Sequence, residues 1–131
     1  MDIHLREAIT AFNRGAYFDA AGLFEDATRS APPELRELTG ALNRVAAGLH
    51  LRFERGGRQA SINLLSQALI VLEDFRPALA GIDVDRLYVD INSFVEVVRS
   101  SPRGESAGLK HRARLIIERH RAPRINAASE S

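Results

Sequence analysis

The chain has no cysteine and no tryptophan, a single methionine, and only 6% aromatic residues across its 131 positions. Without cysteine there is no disulfide framework, no thiolate nucleophile and no thiolate-bound zinc or iron–sulfur centre. No run of about 18 apolar residues occurs, which excludes a membrane-spanning helix. The opening Met1-Asp2-Ile3-His4-Leu5 lacks the basic and then apolar stretch of a secretory signal. These absences predict a soluble, cytoplasmic protein with no membrane partner.

What is present is ordinary for a globular domain. Hydrophobic residues make up 45% and charged residues 27%, a balance that supports one core in a chain of one-domain length and argues against disorder throughout. The charge is uneven: residues 1–99 carry a net −3 and residues 100–131 a net +4. A basic tail can attract nucleic acid, but this one has no aromatic residue to stack on a base and no binding motif. It reads as a solvated basic helix, and nucleic acid is not an expected partner.

Helical periodicity runs through every segment longer than ten residues. Leu5, Ala8, Ile9 and Phe12 mark one face of a first helix over about residues 3–13, closed by Gly15. Tyr17, Ala20, Ala21, Phe24 and Ala27 continue on a second helix until Pro32 and Pro33, which stop one helix and start the next. Leu35, Leu38, Leu42, Val45, Ala46, Leu49 and Phe53 form the longest series, ended by Gly56-Gly57. A fourth helix carries Ile62, Leu65, Ala68, Leu69 and Leu72 and is expected to be the most central. Asp83 stands at the N-cap of a fifth helix running to about Arg99, whose inward face is Leu87, Ile91, Phe94, Val95 and Val98. No segment alternates with period two long enough to suggest a sheet.

The expected architecture is therefore all-α, a compact antiparallel bundle of five to six helices. Residues 1–99 form the bundle and residues 100–108 a linker rich in Ser, Gly and Pro. Residues 109–121 form a basic amphipathic helix with Leu109, Ala113, Ile116, Ile117 and His120 on its apolar side, and residues 122–131 a disordered tail.

Three blocks resemble a known family. Phe12-Asn13-Arg14-Gly15-Ala16-Tyr17-Phe18-Asp19-Ala20-Ala21-Gly22-Leu23-Phe24-Glu25 follows the pattern Phe-Asn-x-Gly-x-Tyr/Phe-x-x-Ala-His-Glu-x-x-Glu. Gly40, Ala46, His50 and Gly56 fit a second block, and Gln59 to Leu69 a third, so that the likeness covers about residues 9–75. The pattern is that of domain-of-unknown-function family 309, small helical proteins described as predicted metal-dependent hydrolases, so the chain resembles that family. The resemblance implies a helical fold and a site in which His and Glu of the second helix meet a His of the third.

The departures fall on the chemistry. Ala21 and Gly22 stand where the family has His-Glu, and the family's Gln is Asn43 here. What survives is a candidate polar site of Glu25, Asn43 and His50. A catalytic metal needs about three donors and an open position; one carboxylate, one imidazole and one neutral amide make a poor set. As purely structural residues, Glu25 would sit at the surface or pair with Arg44, and His50 would be a neutral, hydrogen-bonded imidazole in an apolar interface. No other chemistry competes. Gly-x-Ser-x-Gly is absent, Gly56-Gly57-Arg58 is no phosphate loop, and Asp83, Asp85 and Asp90 fit a cap and solvent-facing positions.

The sequence therefore predicts a non-catalytic interaction module with a lost metal site, with no catalytic residue, no metal ligand and no cofactor, working through a protein partner or self-association. One alternative is a metal-dependent hydrolase with a substituted site around Glu25 and His50. Another is a tetratricopeptide-like protein-binding module, since Gly15, Tyr17, Ala20, Phe24, Ala27 and Pro32 are similar to the second half of such a repeat. A step of about 34 residues from Gly15, however, lands on Leu49 inside a helix.

Overall fold

In the computed structural model, residues 2–102 and 108–128 are described, apart from the side chain of Leu109. Among the described residues six helices follow one another: α1 (Ile3–Asn13), α2 (Tyr17–Ser30), α3 (Pro33–Arg55), α4 (Gln59–Glu73), α5 (Val84–Arg99) and α6 (Leu109–Arg119). A small hairpin, β1 (Ala78–Leu79) and β2 (Ile82–Asp83), joins α4 to α5. The bundle is all-α in its core.

Local chemistry sets the helix ends. The Asp2 carboxylate accepts from Leu5 N at 3.3 Å, and Asp83 Oδ1 accepts from Arg86 N at 2.9 Å, each satisfying an orphan first-turn amide. Gly56 ends α3 in the left-handed region at φ 65°.

Helices adjacent in sequence pack on one another, α1 on α2, α2 on α3, α3 on α4 and α4 on α5. The pairing of α2 with α3 is antiparallel: Thr28 bonds Thr39, Ala21 bonds Asn43, and Phe18 meets His50, one series rising as the other falls. The axis of the bundle is α3 rather than α4. It touches α2, α4 and α6, and its Leu38, Ala41, Leu42, Val45, Ala46 and Leu49 are fully buried. Gly48 lets α4 approach closely, since a Cβ there would lie 3.1 Å from Leu65 Cγ, and Ser61 Oγ donates to the Gly48 carbonyl at 2.8 Å. The step from Gly15 to Leu49 ends deep inside α3, so the two ends of that interval share no turn.

Besides the central helix, two further expectations need correction. The first concerns α6. Ile116 and Ile117, on the apolar side of the sequence pattern, are 60% and 59% exposed, while Glu118 is buried. The reason is Arg52, also buried, whose Nε and Nη2 each donate to the Glu118 carboxylate at 2.7 Å. A bidentate pair anchors the helix by its polar side.

The second concerns the tail. Residues 122–128 are placed against the body, with Ile125 buried in the core cluster. Asn13 Nδ2 donates to the Ile125 carbonyl and Asn13 Oδ1 accepts from Ile125 N, both at 2.8 Å. Ala127 then forms an antiparallel bridge with Ile82, Asp83 N donates to the Asn126 carbonyl, and Ala128 N donates to the Gly81 carbonyl, the last two at 2.9 Å. Strand-like pairing thus occurs, in pieces too short for a period of two to show. Residues 103–107 of the expected linker and residues 129–131 of the expected tail lie outside the described residues.

Candidate functional site

The three polar candidates are built on α2 and α3, and each has a separate structural role. Glu25 is exposed on α2 and faces Arg29 at 3.8 Å; its ion pair runs along its own helix and not to Arg44. Asn43 reaches across from α3 and donates its amide hydrogen to the Ala21 carbonyl at 2.7 Å. His50 is half-buried, its ring 5.3 Å from that of Phe18, and its Nδ1 is buried with no hydrogen-bond partner. The hydrogen-bonded imidazole expected there is not met at Nδ1.

Around Ala21 and Gly22 the geometry is open. Ala21 is half-buried on the side toward α3, and Gly22 is exposed, with nothing within 4 Å of where a Cβ would stand. Phe18, one turn earlier on α2, lies over His50. A divalent ion needs converging anionic or imidazole donors. This arrangement does not supply them: the Asn43 amide is bonded to backbone, Glu25 points to Arg29, and Ala21 and Gly22 have no donor atom. Among the described residues no three His, Asp or Glu side chains form a group able to hold a metal. The metal implied by the family resemblance does not fit the residues present.

The acidic residues of α5 also have structural partners. Asp83 caps the helix, Asp85 bonds Arg76 at 2.7 Å and Asp90 bonds Arg86 at 3.2 Å. The guanidinium of Arg76 also lies 4.3 Å over the Tyr88 ring.

Two surface features were not found by reading the sequence. A groove of about 840 Å3 runs along the outer side of α1 and α2. Ala11 and Gly22 contribute to its lining, Phe18 stands at it 71% exposed, and charges of both signs line it: Arg6, Arg14 and Arg29 with Glu7, Asp19, Glu25 and Asp26. The second is a smaller, cationic cavity where the C-terminal segment crosses the α1–α2 turn. The exposure of Phe18 had a weak sequence signal, because it falls one position off the Tyr17, Ala20, Phe24 stripe. The cationic cavity had none, since its two halves are far apart in the chain.

No protein-family model matches the chain, and no curated protein and no solved structure matches it. The likeness to family 309 rests on the sequence blocks that carry it.

Proposed function

We propose that this chain is a non-catalytic helical interaction module, a degenerate relative of family 309, and that the outer face of α1 and α2 pairs with the same face of a second copy. The observation that carries this reading is the groove itself. Phe18 stands exposed beside a surface lined by three arginines and four carboxylates. Such a surface can complement itself: about a two-fold axis the arginines of one copy can meet carboxylates of the other, with the phenylalanines as apolar anchors. The dispersal of Glu25, Asn43 and His50 onto separate partners favours this reading over the metal-dependent hydrolase.

Sedimentation velocity across a concentration series tests it. The expected result is a reversible monomer–dimer equilibrium, weakened by added salt and by Phe18→Ser, whose side chain contributes little to the monomer's core. A monomer at all concentrations, or a dimer indifferent to Phe18→Ser, rejects the α1–α2 face as the interface. Calorimetric titration with zinc or manganese separates the alternative. Saturable stoichiometric binding that is lost in His50→Ala would put the hydrolase reading first.

A further inference from the structure

The cavity at the C-terminal crossing has a volume of about 390 Å3. Arg14 and Tyr17 contribute from the α1–α2 turn, and Arg119, His120 and Arg124 from the end of α6 and the segment after it. No carboxylate lines it among the described residues. Three arginines and a histidine therefore line one small volume to which no carboxylate contributes among the described residues.

Arg119, Arg124 and Tyr17 are held in place. Arg119 Nη2 donates to Glu54 Oε1 at 2.9 Å, and its guanidinium lies 5.0 Å over the Phe53 ring. Arg124 Nη1 donates to the Asn13 carbonyl at 3.0 Å. A guanidinium has five N–H donors, so Arg119 and Arg124 are each anchored by one and keep others for the cavity, while Arg14 reaches it from the exposed α1–α2 turn. Tyr17 is fixed by ring contacts at 5.4 Å to Phe12 and 5.7 Å to Phe53, which sets its phenol on the wall. Burial raises the Tyr17 pKa, and the charges of Arg119 and Arg124 act against that rise, which places both cations within electrostatic reach of the hydroxyl.

Arg119 has a counter-ion in Glu54, outside the lining, whereas Arg14 and Arg124 bring further like charge to the same cavity, and a bound anion offsets the repulsion among them. Donors arriving from several directions suit a tetrahedral oxyanion with several free oxygens better than a planar monoanion. We infer that the cavity formed by Arg14, Tyr17, Arg119, His120 and Arg124 is a binding site for a small phosphate-bearing ligand. The phosphate sits among the guanidinium groups, and Ala122 and Pro123 flank the remainder of the ligand. Because each half of the cavity comes from a different end of the chain, the ligand also ties the C-terminal segment to the α1–α2 turn. The cavity shares Arg14 with the α1–α2 groove but does not require that face to pair, and Arg124, which lines the cavity and not the groove, tests it separately.

Calorimetric titration of the full chain at constant ionic strength tests it, with inorganic phosphate, phenyl phosphate and acetate as probes. Saturable one-to-one binding of inorganic phosphate is expected. Tighter binding of phenyl phosphate would mark a monoester site, and equal binding a site for the free ion; both support the inference. Acetate should bind about tenfold more weakly or worse, and Arg14→Gln and Arg124→Gln should each weaken phosphate by about tenfold or more, as loss of a charged hydrogen bond does. Arg14 is exposed, so Arg14→Gln should leave the melting temperature without ligand unchanged. Lys110→Gln, away from the cavity, should leave binding unchanged. Non-saturable heats, equal affinity for acetate, or undiminished binding by both arginine variants overturns the site.

Discussion

Gly22 and Gly48 both lie inside helices, and the space around each decides what a methyl group would do there. A Cβ at Gly22 meets nothing within 4 Å, so Gly22→Ala removes the entropic cost of a helical glycine without a clash. The expected gain is about 0.5–1 kcal/mol, a few degrees in a thermal melt. At Gly48 the same change sets a methyl 3.1 Å from Leu65 Cγ, and Leu65 is fully buried, so it must shift within the core to make room. Gly48→Ala should cost about 1–3 kcal/mol. Opposite signs in parallel melts support this packing, and a loss at both positions would mean that a neighbouring side chain closes over Gly22. The sequence shows a glycine at each position but not what lies across from it. Asn13 illustrates the same limit: it belongs to the family-like block, yet its partner Ile125 is 112 residues away. Asp83 was readable as a cap because its acceptor and donor are three residues apart.

Helices α1 to α5 were legible because each buries one continuous stripe, and a stripe is periodic whatever it packs against. The hairpin was not legible, since two-residue strands have no period and its turn uses Ala80 and Gly81 at φ 53° and 78°. Helix α6 failed for a different reason. Its apolar stripe is real, but a buried carboxylate paired with Arg52, 66 residues earlier, turns that stripe toward solvent. The reversal can be measured. Ile117→Ser should change stability by less than about 0.5 kcal/mol, as for an exposed position. Glu118→Ala leaves the Arg52 charge buried and unpaired, a loss of about 3–5 kcal/mol where the helix stays docked. Should undocking cost less, the helix releases first, and the loss stops at the free energy holding α6. Urea titration gives the magnitudes, and hydrogen exchange of α6 amides tells release from global unfolding. A larger loss in Ile117→Ser than in Glu118→Ala would restore the inward stripe.

At the scale of the whole molecule, two kinds of contact hold the chain. The bundle is assembled from sequence neighbours packing in turn, and the C-terminal segment then crosses two distant joints, the α1–α2 turn and the β1–β2 hairpin. Neighbour packing follows from short connections and is foreseeable from sequence. The crossing is not, because residues 122–128 have no periodicity and their basic, small-residue composition reads as solvated chain. Its contribution is testable with a chain ending at Arg121. That chain lacks the buried Ile125, both bonds to Asn13 and the pairing with the hairpin, and it uncovers the apolar surface beneath Ile125. The expected loss is about 1–3 kcal/mol, the range for removing a buried apolar group and its hydrogen bonds, reduced by the backbone entropy that the freed segment recovers. Asn13→Ala in the full chain should produce much of the same loss, and combining it with the truncation should add little, since both remove one clasp. Hydrogen exchange supplies a local reading: the Asp83 amide donates to the Asn126 carbonyl in the full chain and should lose its protection in the shortened one. A shortened chain as stable as the full one, with the Asp83 amide exchanging equally in both, would mean that the segment is not docked in solution, and the cationic cavity would lose the wall that Arg124 provides.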